Sequence, residues 1–174
     1  VLSLKMFNFA AERNKNKEMS KTNWKPGTLI YPLPAVLVSC GDEARQNILT
    51  VAWTGTICTN PPMCYISVKK ERFSHSLIRE TGEFVINLTT RELARALDWC
   101  GVRSGKDFDK FAAMHLTAGK GVRVNAPVIV ESPLNIECKV REVKELGSHD
   151  MFLAEVVNVQ VSEEYDYQNS CRNG

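Results

Sequence analysis

Alternation of apolar and polar residues predicts two long, half-buried strands in the last third of the chain. Over 134–141, leucine, isoleucine, cysteine and valine alternate with asparagine, glutamate, lysine and arginine. After a turn at Gly147, the same two-residue period continues over 151–161. Compact apolar runs predict four further strands, over 35–40, 47–56, 63–68 and 83–88. The chain is therefore predicted to be mainly β.

Three short helices are predicted between these strands. Ser74 is the expected N-cap of a helix over 74–81, which Gly82 ends in a left-handed backbone conformation. Apolar residues at helical spacing predict a second helix over 91–99, and a glycine-bracketed stretch predicts a third over 106–114. Long antiparallel strands with a few helices are typical of a closed barrel with helical additions.

Changes in composition and in the spacing of apolar residues divide the chain into three parts. Residues 1–22 mix a short apolar patch with a basic run and share no period with the rest of the chain, so we predict a non-native or disordered extension. Either Val1 or Met19 could be the native start, and we favour Met19 as a hypothesis. Residues 23–164 form the predicted domain, and the polar residues 165–174 a mobile tail.

Composition narrows the class of protein. With 174 residues, of which 44% are hydrophobic, the chain can bury a core in one domain. Its 22 basic and 20 acidic residues are interspersed, which argues against nucleic acid binding. No apolar run approaches the roughly 20 residues of a membrane span, and no secretory signal is recognisable. The six cysteines lack metal-site spacing, so we expect a cytoplasmic protein with reduced thiols, no bound metal and no membrane contact.

Candidate chemistry is concentrated between residues 47 and 74. If 47–56 is one strand, the hydroxyls of Thr50, Thr54 and Thr56 share a face along which a ring with a hydrogen-bonding edge could lie. Two lysines and an arginine lead into the predicted helix start at Ser74, which is a natural phosphate site. These residue types together predict a site for a flat, partly polar ring with a phosphate tail. Taken singly, each residue could instead be an ordinary strand or surface residue.

Six segments in one order resemble the flavin reductase-like, FMN-binding split-barrel family, most closely its flavoredoxin branch. They are 47–56, Pro61-Pro62, Arg72-Phe73-Ser74, 82–88, 109–111 and 147–152. The resemblance covers about 24–164. It implies a Greek-key-like split β-barrel that forms a homodimer and binds FMN non-covalently near the subunit interface.

The resemblance also implies which residues bind FMN. They are Thr50, Val51, Ala52, Trp53 and Thr54 along the isoalloxazine; Ser67, Val68 and Lys69 beside the ring or ribityl chain; Arg72, Phe73 and Ser74 at the phosphate; and Lys110 beside the flavin. A cation near the pyrimidine side of the ring stabilises the anionic reduced flavin. A core position for Trp53 and an exposed one for Lys110 are the alternatives.

His149 is the candidate catalytic residue. In pyridine-nucleotide-dependent family members a histidine follows Gly-Asp at this turn, whereas here the turn reads Gly147-Ser148-His149-Asp150. This difference and the bulk of Trp53 argue against direct use of NADH or NADPH; His149 could also be an ordinary turn histidine. The predicted function is an oxidoreductase that passes electrons through FMN from NAD(P)H or a reduced partner protein to an acceptor. The alternative is a flavodoxin-like electron carrier without NAD(P)H activity.

Overall fold

The structure, a computed structural model, describes residues 21–165. Within this range, 21–31 contain no helix or strand, and a separate compact unit begins at Pro32. The predicted extension over 1–22 and tail over 165–174 lie outside the described residues except at 21–22 and Tyr165. The division into extension, domain and tail stays a prediction.

Nine strands and three α-helices lie in the described part of the compact unit, residues 32–165. The strands are β1 Val36–Gly41, β2 Gln46–Val51, β3 Thr54–Thr59, β4 Pro62–Lys69, β5 Glu83–Asn87, β6 Ala118–Gly119, β7 Val128–Ile129, β8 Leu134–Leu146 and β9 His149–Val161. The helices are α1 Phe73–Thr81, α2 Ala94–Val102 and α3 Lys110–Met114, with a 3₁₀ turn at Glu163–Tyr165. The prediction of a mainly β fold with helical additions is confirmed.

Seven strands form one antiparallel sheet in the order β2-β1-β5-β8-β9-β4-β3. The outermost strands, β2 and β3, are consecutive in the chain and joined only by Ala52 and Trp53. The sheet must therefore curl until its two edges meet, with β2 close to β4. Ser67 N–H donates to the Trp53 carbonyl at 2.9 Å across this junction. We call the open line between β2 and β4 the seam.

The predicted single strand over 47–56 is wrong, because the chain crosses the seam between Val51 and Thr54. The chain leaves one sheet edge after Val51 and joins the opposite edge at Thr54, so Thr50 and Thr54 belong to different strands. The expected ladder of threonine hydroxyls on one face is therefore wrong. No glycine or proline marks the break, so local composition gave no signal for it.

The start of α1 also differs from the prediction. Arg72 is the N-cap, without a side-chain capping bond, and Ser74 is buried in the first turn. The Ser74 hydroxyl accepts a hydrogen bond from Asn47 Nδ2 at 2.7 Å, which fixes α1 to β2. Gly82 ends the helix with φ of 66°, as predicted.

The barrel interior is a continuous apolar core that includes Ile66, Phe84 and Phe152, covered on one side by Leu77 and Ile78 of α1. In β8, Ile136, Cys138 and Val140 contribute to this core as their period predicts. In β9 the predicted face is wrong: Phe152, Ala154 and Val156 contribute to the core, whereas Val159 and Val161 are exposed. The opposite face of β8 is not solvent-exposed at its start, however, since Glu137 is fully buried there. That carboxylate accepts hydrogen bonds from the backbone N–H groups of Val122 and Arg123.

The described cysteines are all free thiols, four of them buried. Across residues 21–165, no cluster of three His, Cys, Asp or Glu side chains is arranged to hold a metal ion. Within the same range, no helix has the length and apolar character needed to cross a membrane.

Candidate functional site

Two adjoining cavities follow the seam and the start of α1. The first, of about 180 Å³, lies between the end of β2 and the end of β4. The second, of about 210 Å³, lies between the start of α1 and the loop after α2. Leu49, Lys69 and Arg72 line both, so the cavities form one groove. A larger cavity of about 740 Å³ lies elsewhere, beside Asp42 and Glu83.

The groove brings together all the predicted site residues except Thr54. Thr50, Val51, Ala52, Trp53, Ser67, Val68, Lys69, Arg72 and His149 line the first cavity. Lys69, Arg72, Phe73, Ser74 and Lys110 line the second. Sequence reasoning did not identify Asn47, Leu49, Glu71, Arg103, Ser104 and Gly105, which complete the lining.

The threonine hydroxyls are already engaged within the protein. Thr50 Oγ1 donates to the Leu97 carbonyl, and Thr54 Oγ1 donates to the Tyr65 carbonyl at 2.7 Å. Neither hydroxyl hydrogen is therefore free for a ligand in the first cavity. Since β2 pairs only with β1, the backbone N–H and C=O groups on its other side point toward the seam without a strand partner.

An aromatic pair forms one wall of the first cavity. The rings of Trp53 and His149 lie with centroids 4.5 Å apart and an interplanar angle of 32°. Ser148 Oγ lies 2.8 Å from His149 Nδ1. Burial lowers the pKa of His149, and the positive charge of Lys69 lowers it further. The imidazole is therefore neutral at pH 7.

Two cations of the second cavity are held by the end of α2. Arg72 Nη1 donates to the Gly101 carbonyl at 3.0 Å, and Lys110 Nζ donates to the Cys100 carbonyl at 2.7 Å. The last carbonyls of a helix lack helical partners and carry partial negative charge, which favours cations. Lys110 is buried, which corrects the alternative of an exposed lysine. Its pKa is lowered by burial and by the nearby charge of Arg72.

The start of α1 completes a positive end of the groove. The helix has neither a side-chain cap nor an acidic residue in its first turn, so its first N–H groups are available to an external acceptor. Arg103, directly after α2, adds a further cation to the lining. Glu71 is the one acidic lining residue, and its pKa is lowered by its own backbone amide and by Lys69. The cations lining this end of the groove outnumber its single carboxylate, so the site favours an anion.

Gly105 is needed where the loop after α2 passes the groove. A Cβ at this position would overlap Asn47 Oδ1 and lie 2.6 Å from Phe73 Cδ1. We expect Gly105→Ala to lower the free energy of unfolding by about 1–3 kcal/mol, because the side chains of Asn47 and Phe73 must move. Urea unfolding measures this change. Gly27→Ala is the matched control, since a Cβ there meets no atom closer than 3.9 Å; equal stability of the two variants would contradict the prediction.

Comparison with known proteins shows which proteins the chain resembles. A flavoredoxin of Desulfovibrio vulgaris (Miyazaki F) is 36% identical, with a TM-score of 0.77 over 83% of this chain and 78% of its own. A flavoredoxin from Methanosarcina acetivorans is 29% identical, with a TM-score of 0.80 over 86% of this chain and 79% of its own.

A sequence relative is the reductase component of a Rhodococcus opacus 4-nitrophenol 4-monooxygenase/4-nitrocatechol 2-monooxygenase. It is 26% identical over 124 residues, which cover 71% of this chain and 63% of the relative. The structural similarity confirms the predicted split-barrel fold. Since the sequence model of the flavin reductase like domain matches residues 28–172, the chain belongs to the flavin reductase-like family.

Proposed function

We propose that the protein binds FMN non-covalently in the groove and acts as an oxidoreductase of the flavoredoxin type. The observation that carries this proposal is the two-part character of the groove: open strand backbone at one end and a positively charged helix start at the other. A planar ring with a hydrogen-bonding edge fits the first part, and a phosphate fits the second.

In this assignment, the ring lies along residues 50–53 and 67–69. Arg72, Phe73 and Ser74 receive the phosphate, with Arg103 as an additional cation. Lys110 contributes a buried positive charge beneath this end of the groove. Thr54 is left out of the set because its hydroxyl donates to Tyr65 and it lines neither cavity.

Bound FMN supplies the redox chemistry, while the chain holds and orients it. Lys69 and Arg72 line both cavities, so their positive charges stabilise negative charge placed anywhere along the groove. The neutral imidazole of His149 packs on Trp53 and supplies a wall rather than a charge. No side-chain acid or base is required for electron or hydride transfer itself.

The second candidate function, an electron carrier without NAD(P)H activity, is favoured by the Trp53–His149 pair. A nicotinamide must stack on an open face of the ring to deliver a hydride. Trp53 is 37% exposed and covers one side of the first cavity together with His149. A reduced partner protein needs no such stacking, because electrons can pass from an edge of the ring.

Anaerobic titration of the FMN-loaded protein with NADPH and then NADH tests both functions. Bleaching of the visible flavin absorption by either nucleotide supports a reductase. Bleaching only by dithionite or a reduced ferredoxin supports the electron carrier. Dithionite also shows that the bound flavin is reducible in either case. Failure of the purified protein to take up FMN would contradict both functions.

We further propose a homodimer, as the family resemblance implies. Several apolar side chains of the sheet are exposed, including Ile57 of the edge strand β3 and Val159 and Val161 of β9. A second copy of the chain could cover such residues. Sedimentation equilibrium at micromolar concentration distinguishes a dimer from a monomer.

A further inference from the structure

Asp150 is a fully buried carboxylate next in sequence to a residue of the groove. It follows His149 on β9, and the two lie opposite Val68 and Lys69 of β4. Its side chain lines neither part of the groove. The proposed binding of FMN therefore assigns no direct contact to this charge.

Three side chains that carry charge or donate a hydrogen bond lie against the Asp150 carboxylate. His75 Nε2–H donates to Oδ2 at 2.8 Å, and Lys70 Nζ lies 3.3 Å from Oδ1. Arg79 Nη1 approaches Oδ2 at 3.5 Å, while its other nitrogen pairs with Glu145. Burial alone would raise the pKa of Asp150, but the hydrogen bond from His75 and the positive charge of Lys70 lower it overall. The carboxylate is therefore ionised at neutral pH.

These contacts hold both ends of the link between β4 and α1. Lys70 begins the link, and His75 lies in the first turn of the helix at its end. Between them is Arg72, whose N–H donates to the Lys69 carbonyl at 3.1 Å and so closes a tight turn. Lys69 and Arg72 are the two cations that line both cavities. The Asp150 carboxylate thus holds this turn from the buried side, opposite the groove that Lys69 and Arg72 line.

A buried charge is costly unless its surroundings stabilise it, and removing a partner leaves an uncompensated group. The ring of His75 also packs edge-on against Phe152, with centroids 5.3 Å apart, so its position is fixed by the core. The carboxylate therefore joins the core-packed His75 to the half-exposed Lys70 and limits the movement of the turn between them. Such rigid support is what a site for a small anion requires.

We propose that Asp150 is a positioning residue for the FMN phosphate: through His75 and Lys70 it fixes the β4–α1 turn that places Lys69 and Arg72 in the groove. The inference rests on the proposed function. It adds to that function a residue that touches no flavin yet determines the preference for a phosphorylated one.

Asp150→Asn tests the proposal through the dissociation constants of FMN and riboflavin, which differ by the phosphate. We expect the variant to bind FMN at least about tenfold more weakly, the lower end of the loss seen when an outer-shell residue of a metal site is changed, and riboflavin unchanged. Glu145→Gln is the matched control, because it makes the same carboxylate-to-amide change at the other partner of Arg79. The control should keep the wild-type preference.

A second pair of variants covers the case in which Asp150→Asn does not fold. His75→Gln retains an N–H donor toward Asp150, whereas His75→Leu removes it. We expect the glutamine variant to keep the preference for FMN over riboflavin and the leucine variant to lose it. The same preference in both, or an equal loss of FMN and riboflavin affinity in Asp150→Asn, would overturn the positioning role. A wild-type protein that binds both flavins equally would instead overturn the proposed phosphate site itself.

Discussion

Replacing Glu137 with alanine is expected to lower the free energy of unfolding by about 3–5 kcal/mol, because each buried donor left without an acceptor costs about 1–3 kcal/mol. The carboxylate accepts from Val122 N at 3.0 Å, Arg123 N at 2.6 Å, and the side-chain amides of Asn158 and Gln160, each at 2.8 Å. Alanine would leave all four donors without this acceptor. Urea unfolding followed by circular dichroism measures the change.

Two controls make the Glu137 result specific. Glu142→Ala removes a glutamate from the exposed part of the same strand and should stay within about 0.5 kcal/mol of the wild type. Glu137→Gln keeps one acceptor oxygen but turns an NH₂ toward donors, so we expect an intermediate loss. Equal stability of Glu137→Ala and Glu142→Ala would show that the network contributes nothing.

The pH dependence of Glu137 has a definite sign. Burial would raise the pKa of its carboxyl, but the four donors outweigh this and lower the pKa below its ordinary value. A folded-state pKa below the unfolded one gives stability above the unfolded value of about 4.3, and the contribution is lost as pH falls through the folded pKa. The difference in stability between wild type and Glu137→Gln should therefore shrink in acid.

Replacing Arg72 with alanine is expected to weaken FMN binding by about 1.5–3 kcal/mol, roughly 10- to 150-fold, and to leave riboflavin binding unchanged. Arg72 precedes the uncapped start of α1, and its guanidinium is oriented by the Gly101 carbonyl. It can therefore meet a phosphate together with the first N–H groups of the helix. Fluorescence titration with the two flavins measures the difference.

Arg95→Ala is the matched control for Arg72, because it removes an exposed arginine that lines neither cavity. Both changes alter the net charge equally, so a general electrostatic effect would appear in both. Since Arg72 is exposed, its contribution should also decrease at higher salt. Unchanged FMN affinity in Arg72→Ala would mean that the phosphate lies elsewhere.

Much of the candidate groove was predictable because its lining comes from short continuous segments. Three continuous segments, 50–53, 67–69 and 72–74, supply most of the lining. A resemblance in local sequence therefore identifies several neighbouring lining residues at once. The positions of β4 and α1 were likewise marked, by a compact apolar run and by Gly82. Arg103 was missed because it lies in an irregular loop, where no period relates it to the other cations.

The remaining errors share a physical cause: burial set by distant segments. The alternation in β8 predicted a polar outer face at Glu137, but the loop containing Val122 and Arg123 covers that face. Ser74 has the residue type of an N-cap, yet Asn47 from β2 binds its hydroxyl inside the first turn. Both contacts join residues far apart in the chain, which local patterns do not report.

The two-residue connection at Ala52 and Trp53 has a consequence for how this architecture can diversify. The strand pairings of the sheet end on either side of it, so a longer connection would cost the hydrogen bond from Ser67 to Trp53 and leave every strand pairing in place. Insertions there would alter the width of the opening while the apolar interior stayed the same. Ligand size and barrel stability are thus separate evolutionary variables in this fold.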